Sequence, residues 1–319
     1  MFESAVESLF KAEHSTSDAI KDFAKDARTH RNMVTHLAFY MHSKGKAQGR
    51  EIDEETVKDA LRQAGFAQHT AGFLELVRHR GGMFEERGGI YRFMHLAFQE
   101  FLVACYLQDV KGDEGGLTSV IQAIVPLITD PWWREPVLLL AGYRALRSEE
   151  AVCRFIEALV DKGDGADARF SAAELAGAAA LENHVKVPTV REHCAQRIAE
   201  LLRDEENLKT SHPAIRARAA LAMSHLGDPR FHGPELFYLP KDEENGMLGF
   251  VLIQEDKQFK IGTRFEKKQH VMDITRSDED WVKRELNNDP TPAPEFYIAR
   301  YPVTVAQFKA FCVTRNTRL

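Results

Sequence analysis

The spacing of apolar residues predicts that most of the chain is helical. Residues 96–107 carry apolar side chains at i, i+3, i+4 and i+7, which is one face of an α-helix. These positions are Phe98, Phe101, Leu102 and Cys105. Gln99 and Glu100 fall outside the set, so we expect both to leave that face. Comparable spacing predicts further helices over these ranges: 2–13, 18–43, 70–79, 117–128, 135–147, 148–162, 170–181, 188–203 and 212–226.

Polar residues mark the starts of several of these helices. Asp53 precedes a further helical stretch with Val57, Ala60 and Leu61 on its inner face, and Ser148 precedes two glutamates. Both residue types accept hydrogen bonds from the free N–H groups of a first helical turn. We therefore expect Asp53 and Ser148 to be N-caps.

The period changes from about 3.6 to two in three places. Segments 83–86 and 90–93, joined by a turn at residues 87–89, predict a β-hairpin. Beyond a proline-rich linker at 231–248, segments 250–253 and 258–262 predict a second strand pair. The range 263–294 is polar and is predicted to be loop. A strand at 296–300 and a helix capped by Thr304 are predicted to follow.

Composition favours a cytoplasmic protein with reduced thiols. The four cysteines are far apart in the 319-residue chain, and the net charge is −6. The acidic balance gives no general attraction to nucleic acid or membrane. The hairpin does carry basic residues nearby (Arg78, Arg80 and Arg87), which is a weak DNA-binding signal against an acidic background. We expect protein partners, with nucleic acid and membrane unlikely.

His95 is the candidate functional residue. It lies where the predicted strand at 90–93 gives way to the helix at 96–107. A helix start presents free N–H groups and the positive end of the helix dipole, a combination that suits a phosphate. From the residues alone, two interpretations stay open: a phosphate contact, or a structural histidine hydrogen-bonded to the backbone.

The same stretch resembles a known signature. Residues 91–107 read YRFMHLAFQEFLVACYL, which resembles the F-x-H-L-x-F-Q-E-(F/Y)-L-A-A signature of NACHT-type STAND NTPases. In that family the signature ends the winged-helix part of the nucleotide-binding module, and its histidine contacts the β-phosphate of ADP. The resemblance implies that role for His95, with ATP or ADP as the nucleotide of a full-length parent.

Two later stretches resemble helical repeats. Residues 212–231 read HPAIRARAALAMSHLGDPRF, which is similar to a HEAT-type repeat, and residues 130–143 resemble the first helical hairpin after the winged helix in bacterial NACHT proteins. Paired helices stacked in one dimension form a solenoid. Trp132 and Trp133 offer a ligand shelf or packing between elements, and packing is the expectation.

The last part of the chain resembles the start of a formylglycine-generating-enzyme-like (sulfatase-modifying-factor) domain, which has a C-type-lectin-like fold. The matching blocks are 251–253, 259–262 and 296–304. Gln254-Glu255-Asp256 and Val305 depart from the family pattern. The family's copper-binding cysteine pair has no counterpart here, since Cys312 alone is not a two-cysteine site.

Catalytic motifs were sought and not found in the sequence. There is no G-x-x-x-x-G-K-(S/T), no H-E-x-x-H and no G-x-S-x-G. We therefore expect no catalytic residues, no metal ligands and no cofactor held by this chain itself.

The predicted fold is mainly α: a winged helix followed by a HEAT-like α-solenoid and a truncated C-type-lectin-like α+β segment. The predicted domains are 1–110 (winged-helix regulatory part of a NACHT module), 111–230 (HEAT-like repeats), 231–248 (linker) and 249–319 (start of the formylglycine-generating-enzyme-like domain). The predicted function is that of a non-catalytic regulatory and interaction fragment of a STAND signalling or defence NTPase. The alternative is an oxidoreductase-like protein of the sulfatase-modifying-factor family, inactive without the catalytic cysteines.

Overall fold

The computed structural model describes residues 27–80, 83–241, 247–259, 262, 264–276, 278–285 and 291–314. The predicted helix at 2–13 and the first part of that at 18–43 lie outside these ranges. The described chain is mainly helical, as predicted. It divides into two compact units, 1–229 and 230–319, and each is described by itself. Among the described helices, none is long and apolar enough to cross a membrane.

The first unit begins with helices around a small antiparallel sheet. Its elements are α1 (Ala27–His42), β1 (Glu51–Asp53), α2 (Glu54–Gln63), α3 (Thr70–Arg80), β2 (Phe84–Arg87) and β3 (Ile90–Phe93). The strand order is β1-β3-β2, with Phe84 opposite Phe93 and Glu51 opposite Arg92. The hairpin is thus confirmed. The sequence missed β1, because three residues are too few to display a period of two.

Local capping explains where α2 begins. The backbone N–H of Thr56 donates to Asp53 Oδ1 at 2.8 Å, as predicted for an N-cap. Val57, Ala60 and Leu61 are buried, which confirms the inner face of this helix. Three apolar residues of α3 are buried in the same core: Phe73, Leu74 and Val77. Leu76 is also buried.

The central helix of the unit is α4 (Leu96–Tyr106), which leaves β3 after two residues. It packs on α1 on one side and on α6 (Arg134–Ala145) on the other. A π-helical turn (Leu107–Lys111) leads from α4 into α5 (Gly112–Ile124), which is kinked at Gly115 and Gly116. Because α4 has neighbours on two sides, every residue from Phe101 to Cys105 is buried.

The rest of the first unit is a run of helices that pack on one another. They are α7 (Glu149–Val160), α8 (Ala166–Glu182), α9 (Pro188–Arg203), α10 (Glu205–Thr210) and α11 (Pro213–Leu226). Ser148 caps α7, since its Oγ accepts from the Ala151 N–H at 3.0 Å, as predicted. Alanines cover α8 and allow close approach from four sides, by α6, α7, α9 and α11. The short α10 was not predicted.

The second unit pairs strands that are distant in sequence. Its elements are β4 (Phe250–Ile253), α12 (Lys268–Thr275), α13 (Glu279–Glu285), β5 (Phe296–Ala299) and α14 (Val305–Thr314). β4 pairs with β5 in antiparallel register, Phe250 opposite Ala299. In the described residues β4 pairs with β5 and not with 258–259, while residues 260 and 261 of the predicted partner lie outside the described ranges. Asp256 and Ala293 exchange two backbone hydrogen bonds, which hold the segment before β5 next to the segment after β4.

Two further predictions for the second unit have opposite outcomes. The range 263–294 was predicted to be loop, which is wrong for α12 and α13. The helix after Thr304 is confirmed, and its start is a capping box. Thr304 Oγ1 accepts from the Gln307 N–H at 3.2 Å, while Gln307 Oε1 accepts from the Thr304 N–H at 2.8 Å. The four cysteines are free thiols, and all are buried.

Candidate functional site at the strand-to-helix junction

His95 lies at the N-cap of α4, where the sequence predicted it. Its backbone is extended (φ −135°, ψ 141°), and its side chain makes no capping hydrogen bond to the helix. The imidazole is exposed and lies 6.0 Å from the Phe98 ring, centroid to centroid. The ring is therefore accessible beside a helix start, whose first N–H groups have no carbonyl of their own helix to bind.

A small cavity of about 300 Å³ lies next to His95. Its lining residues are Arg50, Glu51, Arg92, Phe93, Met94, Leu96 and Gln99. The two sequence neighbours of His95 belong to this lining, and His95 itself does not. The structure thus places the histidine at the rim rather than inside the cavity.

The two arginines that line this cavity have different interaction partners. Arg92 donates from Nε to Glu85 Oε1 at 2.9 Å and from Nη1 to Glu51 Oε1 at 3.3 Å. Its hydrogen bond lowers the pKa of Glu85. The exposed Arg50 has its guanidinium 5.8 Å from the centre of the Trp132 ring. Arg92 is thus committed to carboxylates, and Arg50 is the cation more available to an anion.

Gln99 is buried, so the prediction that it leaves the apolar face of α4 is wrong. It is 1% exposed. Its Nε2 donates to the Gly49 carbonyl at 2.8 Å and lies 3.5 Å from His42 Nδ1. The error arises because a one-face pattern assumes a single packing partner, whereas α4 is covered on two sides.

Glu100 is half-buried and titrates abnormally. Burial raises its pKa to about 7, repulsion from Glu135 adds to this, and Arg50 acts in the opposite direction. A carboxyl group that changes charge near neutral pH next to a cavity is a common feature of functional sites. The sequence pattern offered no sign of it, because the shift arises from burial and from a residue on another helix.

A buried histidine, His42, ends α1 and lies against Gln99 of this cavity. Its ring stacks on Trp132 with centroids 4.3 Å apart and planes 10° apart. Trp132 and Trp133 are both buried, which confirms packing rather than a ligand shelf. Burial lowers the pKa of His42 to about 4. Sequence reasoning missed His42, since it follows the last apolar residue of its helix and shows no motif.

A second cavity of the first unit, about 570 Å³, is lined mainly by acidic residues. It lies at the start of α8, and its charged lining consists of Asp164, Asp167, Asp204, Glu206 and Arg169. The guanidinium of Arg169 donates to Asn207 Oδ1 at 3.0 Å. Four carboxylates against one engaged cation repel a phosphate. The junction at His95 is therefore the better anion site of the two.

The described residues contain no group of three or more histidine, cysteine, aspartate and glutamate side chains arranged to hold a metal ion. The chemistry available at the junction is non-covalent: an accessible imidazole, a helix start and a nearby guanidinium. Comparisons of the chain with protein-family models, with curated proteins and with solved structures gave no match.

Proposed function

We propose that this chain is a non-catalytic regulatory and interaction module of a NACHT-type STAND NTPase, and that His95 contacts the β-phosphate of ADP held by the nucleotide-binding domain. Through this contact the module responds to whether ADP is bound. The helices that follow α4 form the interaction surface for protein partners. The setting of the proposed function is the cytoplasm.

The proposal rests on the exposed imidazole of His95, which lies at the start of α4 and does not cap the helix. A histidine that capped its own helix would have its ring nitrogen occupied, and His95 does not cap α4. The ring belongs to the residue at the helix start, where free N–H groups and the positive end of the helix dipole favour a phosphate. Arg50, across the adjoining cavity, adds positive charge.

The order of elements supports the proposed winged helix and solenoid. Around β1-β3-β2, a helix, a strand, two helices and a hairpin precede α4, which is the order expected for a winged helix. From α6 onward, α6 packs on α7, α7 on α8, α8 on α9 and α9 on α11, as in stacked helical pairs.

The pairing in the second unit supports the proposed lectin-like segment. β4 and β5 lie side by side, and these strands contain two of the three blocks that resemble a formylglycine-generating-enzyme-like domain. Two separate sequence blocks that resemble one family are thus neighbours in space.

The first test is an NMR titration of the chain, labelled on histidine, with inorganic phosphate and then ADP. We expect the His95 imidazole signals to move most, with binding weaker than about 1 mM, since one charge-assisted hydrogen bond contributes only about 1.5–3 kcal/mol. His212 is the matched control, because it also occupies an N-cap. Equal shifts at both histidines would reduce His95 to a structural residue.

The second test uses the chain together with its nucleotide-binding domain. His95→Ala is expected to speed ADP release about tenfold or more, because loss of the contact removes at least 1.4 kcal/mol. Unchanged ADP release would contradict the proposed role. The chain alone is expected to show no ATP turnover above a heat-inactivated sample, since it has no phosphate-binding loop.

A further inference from the structure

Two parts of the first unit are joined by a reciprocal pair of hydrogen bonds. The sheet-bearing part contains α1–α4 and β1–β3, and α1 ends at His42. The turn at Pro131–Trp133 leads into α6 and the helices after it. Trp132 Nε1 donates to the His42 carbonyl at 3.0 Å, and His42 Nε2 lies 3.0 Å from the Trp132 carbonyl. Each residue thus contributes a ring nitrogen to one hydrogen bond and a backbone carbonyl to the other.

Only one protonation state of His42 satisfies every partner. A carbonyl only accepts, so Nε2 carries the hydrogen that is donated to Trp132. Nδ1 is then an acceptor, and the Gln99 amide nitrogen lies 3.5 Å from it. The same amide nitrogen has a second hydrogen, which it donates to the Gly49 carbonyl at 2.8 Å. The neutral Nε2–H form therefore leaves no buried polar group of this cluster unmatched.

We propose that His42, Gln99 and Trp132 form an acid-released latch between the sheet-bearing part and the helices that begin at α6. A proton added at Nδ1 meets the N–H₂ of Gln99, so two donors face each other. Rotating the Gln99 amide would turn its oxygen toward His42, but the rotation would also leave the Gly49 carbonyl without a donor. A buried polar group without a partner is costly, so protonation favours the open arrangement.

The charged groups around His42 do not reverse the conclusion that protonation favours the open arrangement. Burial is the largest influence on its pKa and lowers it, whereas the hydrogen bond to the Trp132 carbonyl and the charge of Asp130, from the segment before Trp132, raise it. From the loop after α1, Arg50 lies against the Trp132 ring and opposes a second positive charge. From α4, Glu100 has a pKa of about 7 and is neutral in mild acid, so it supplies no compensating charge there.

The latch is independent of the proposed phosphate contact, because it needs neither nucleotide nor His95. Its test is therefore made on the chain alone. Indole ¹⁵N signals are assigned by replacing each tryptophan in turn with phenylalanine, and exchange of the Trp132 N–H is followed from pH 7 to pH 4 while circular dichroism reports helix content. Imidazole ¹⁵N shifts report the tautomer of His42.

We expect the Nε2–H tautomer at neutral pH. Protection of the Trp132 indole, corrected for intrinsic exchange, should fall by about tenfold per pH unit between about 6.5 and 4, while helix content persists. His42→Gln keeps an N–H donor for the Trp132 carbonyl and does not titrate, so it should abolish this step. His30→Gln is the matched control: His30 is on α1, its pKa is also lowered to about 4 by burial, and it faces Phe73 instead.

Four outcomes would overturn the latch. They are the Nδ1–H tautomer at neutral pH, a Trp132 step that survives in His42→Gln, a step abolished equally by His30→Gln, and loss of Trp132 protection only together with all helix content. If His42→Gln fails to fold, the tautomer and the order of the two transitions in the unmodified chain still decide the question.

Discussion

In the described part of the chain, His95 and His212 both occupy helix N-caps, and their surroundings differ. The side chain of His212 caps α11, because its Nδ1 accepts from the Ala214 N–H at 3.2 Å. The backbone N–H of His212 donates to Asp167, which lines the acidic cavity. The side chain of His95 makes no capping bond and lies beside a cavity with two arginines. The same residue type at the same helical position is thus used for stability in one place and left accessible in the other. A histidine at a helix start indicates function only when its ring is not already engaged.

The largest difference expected between the two regions is in acid sensitivity. His42 and His30, in the region of α4, have pKa values of about 4 because of burial. In the unfolded chain a histidine titrates near 6.5. Between these values the unfolded state binds more protons, so stability is complete above about pH 6.5 and is lost as pH falls toward 4.

Each buried histidine contributes up to about 3 kcal/mol to this loss. Urea unfolding at pH 7 and pH 5 measures it. His30→Gln and His42→Gln should each flatten the pH dependence, because glutamine does not titrate. A pH dependence that neither variant flattens would contradict this prediction.

The second largest effect is expected at Gln99. Gln99→Met keeps the volume but removes the donor to the Gly49 carbonyl, which then lies buried without a partner. We expect a loss of about 1–3 kcal/mol in the free energy of unfolding. Gln196→Met is the control on α9, because Gln196 is exposed and bonds only a surface glutamate. Equal losses at the two positions in urea titrations would show that burial of Gln99 is not what matters.

His212→Ala should destabilise the chain by about 1 kcal/mol, because the first turn of α11 loses its cap. His212→Asn should recover most of this loss, since its side-chain oxygen accepts from the same N–H. Thermal unfolding of the three proteins gives the comparison. A neutral His212→Ala would mean that water replaces the cap at no cost, and the two histidines would then be equivalent.

The smallest effect, and the most informative for function, is expected for His95→Asp. Aspartate is a good N-cap and suits the positive end of the helix dipole, so α4 should gain about 0.5–1 kcal/mol. The same change should also abolish any phosphate-induced shift of the backbone amide signals at the start of α4, followed in a uniformly ¹⁵N-labelled chain. A protein that is more stable but insensitive to phosphate would indicate that His95 is kept at some cost in stability. A destabilised variant would contradict the uncapped geometry at His95.

The sequence predicted best the features that depend on local interactions. Asp53, Ser148 and Thr304 were identified as caps because the interaction that defines them is local. Gln99 was misassigned because α4 packs on two sides, which a single stripe of apolar residues does not reveal. The position of His95 was predictable, since strand and helix periods meet there. The His42 cluster was not, because it depends on Trp132 and Gln99, which are far apart in the sequence and are brought together only by packing.

The pairing of β4 with β5 has a consequence for synthesis on the ribosome. β4 emerges first, and its partner lies far along the chain, beyond α12 and α13. Until β5 has emerged, Phe250–Ile253 is an apolar strand with both edges open, the kind of segment that pairs with other chains. The second unit therefore depends on a delay in which β4 stays unpaired. Slower translation between the two strands should lengthen that delay and increase the demand for chaperones.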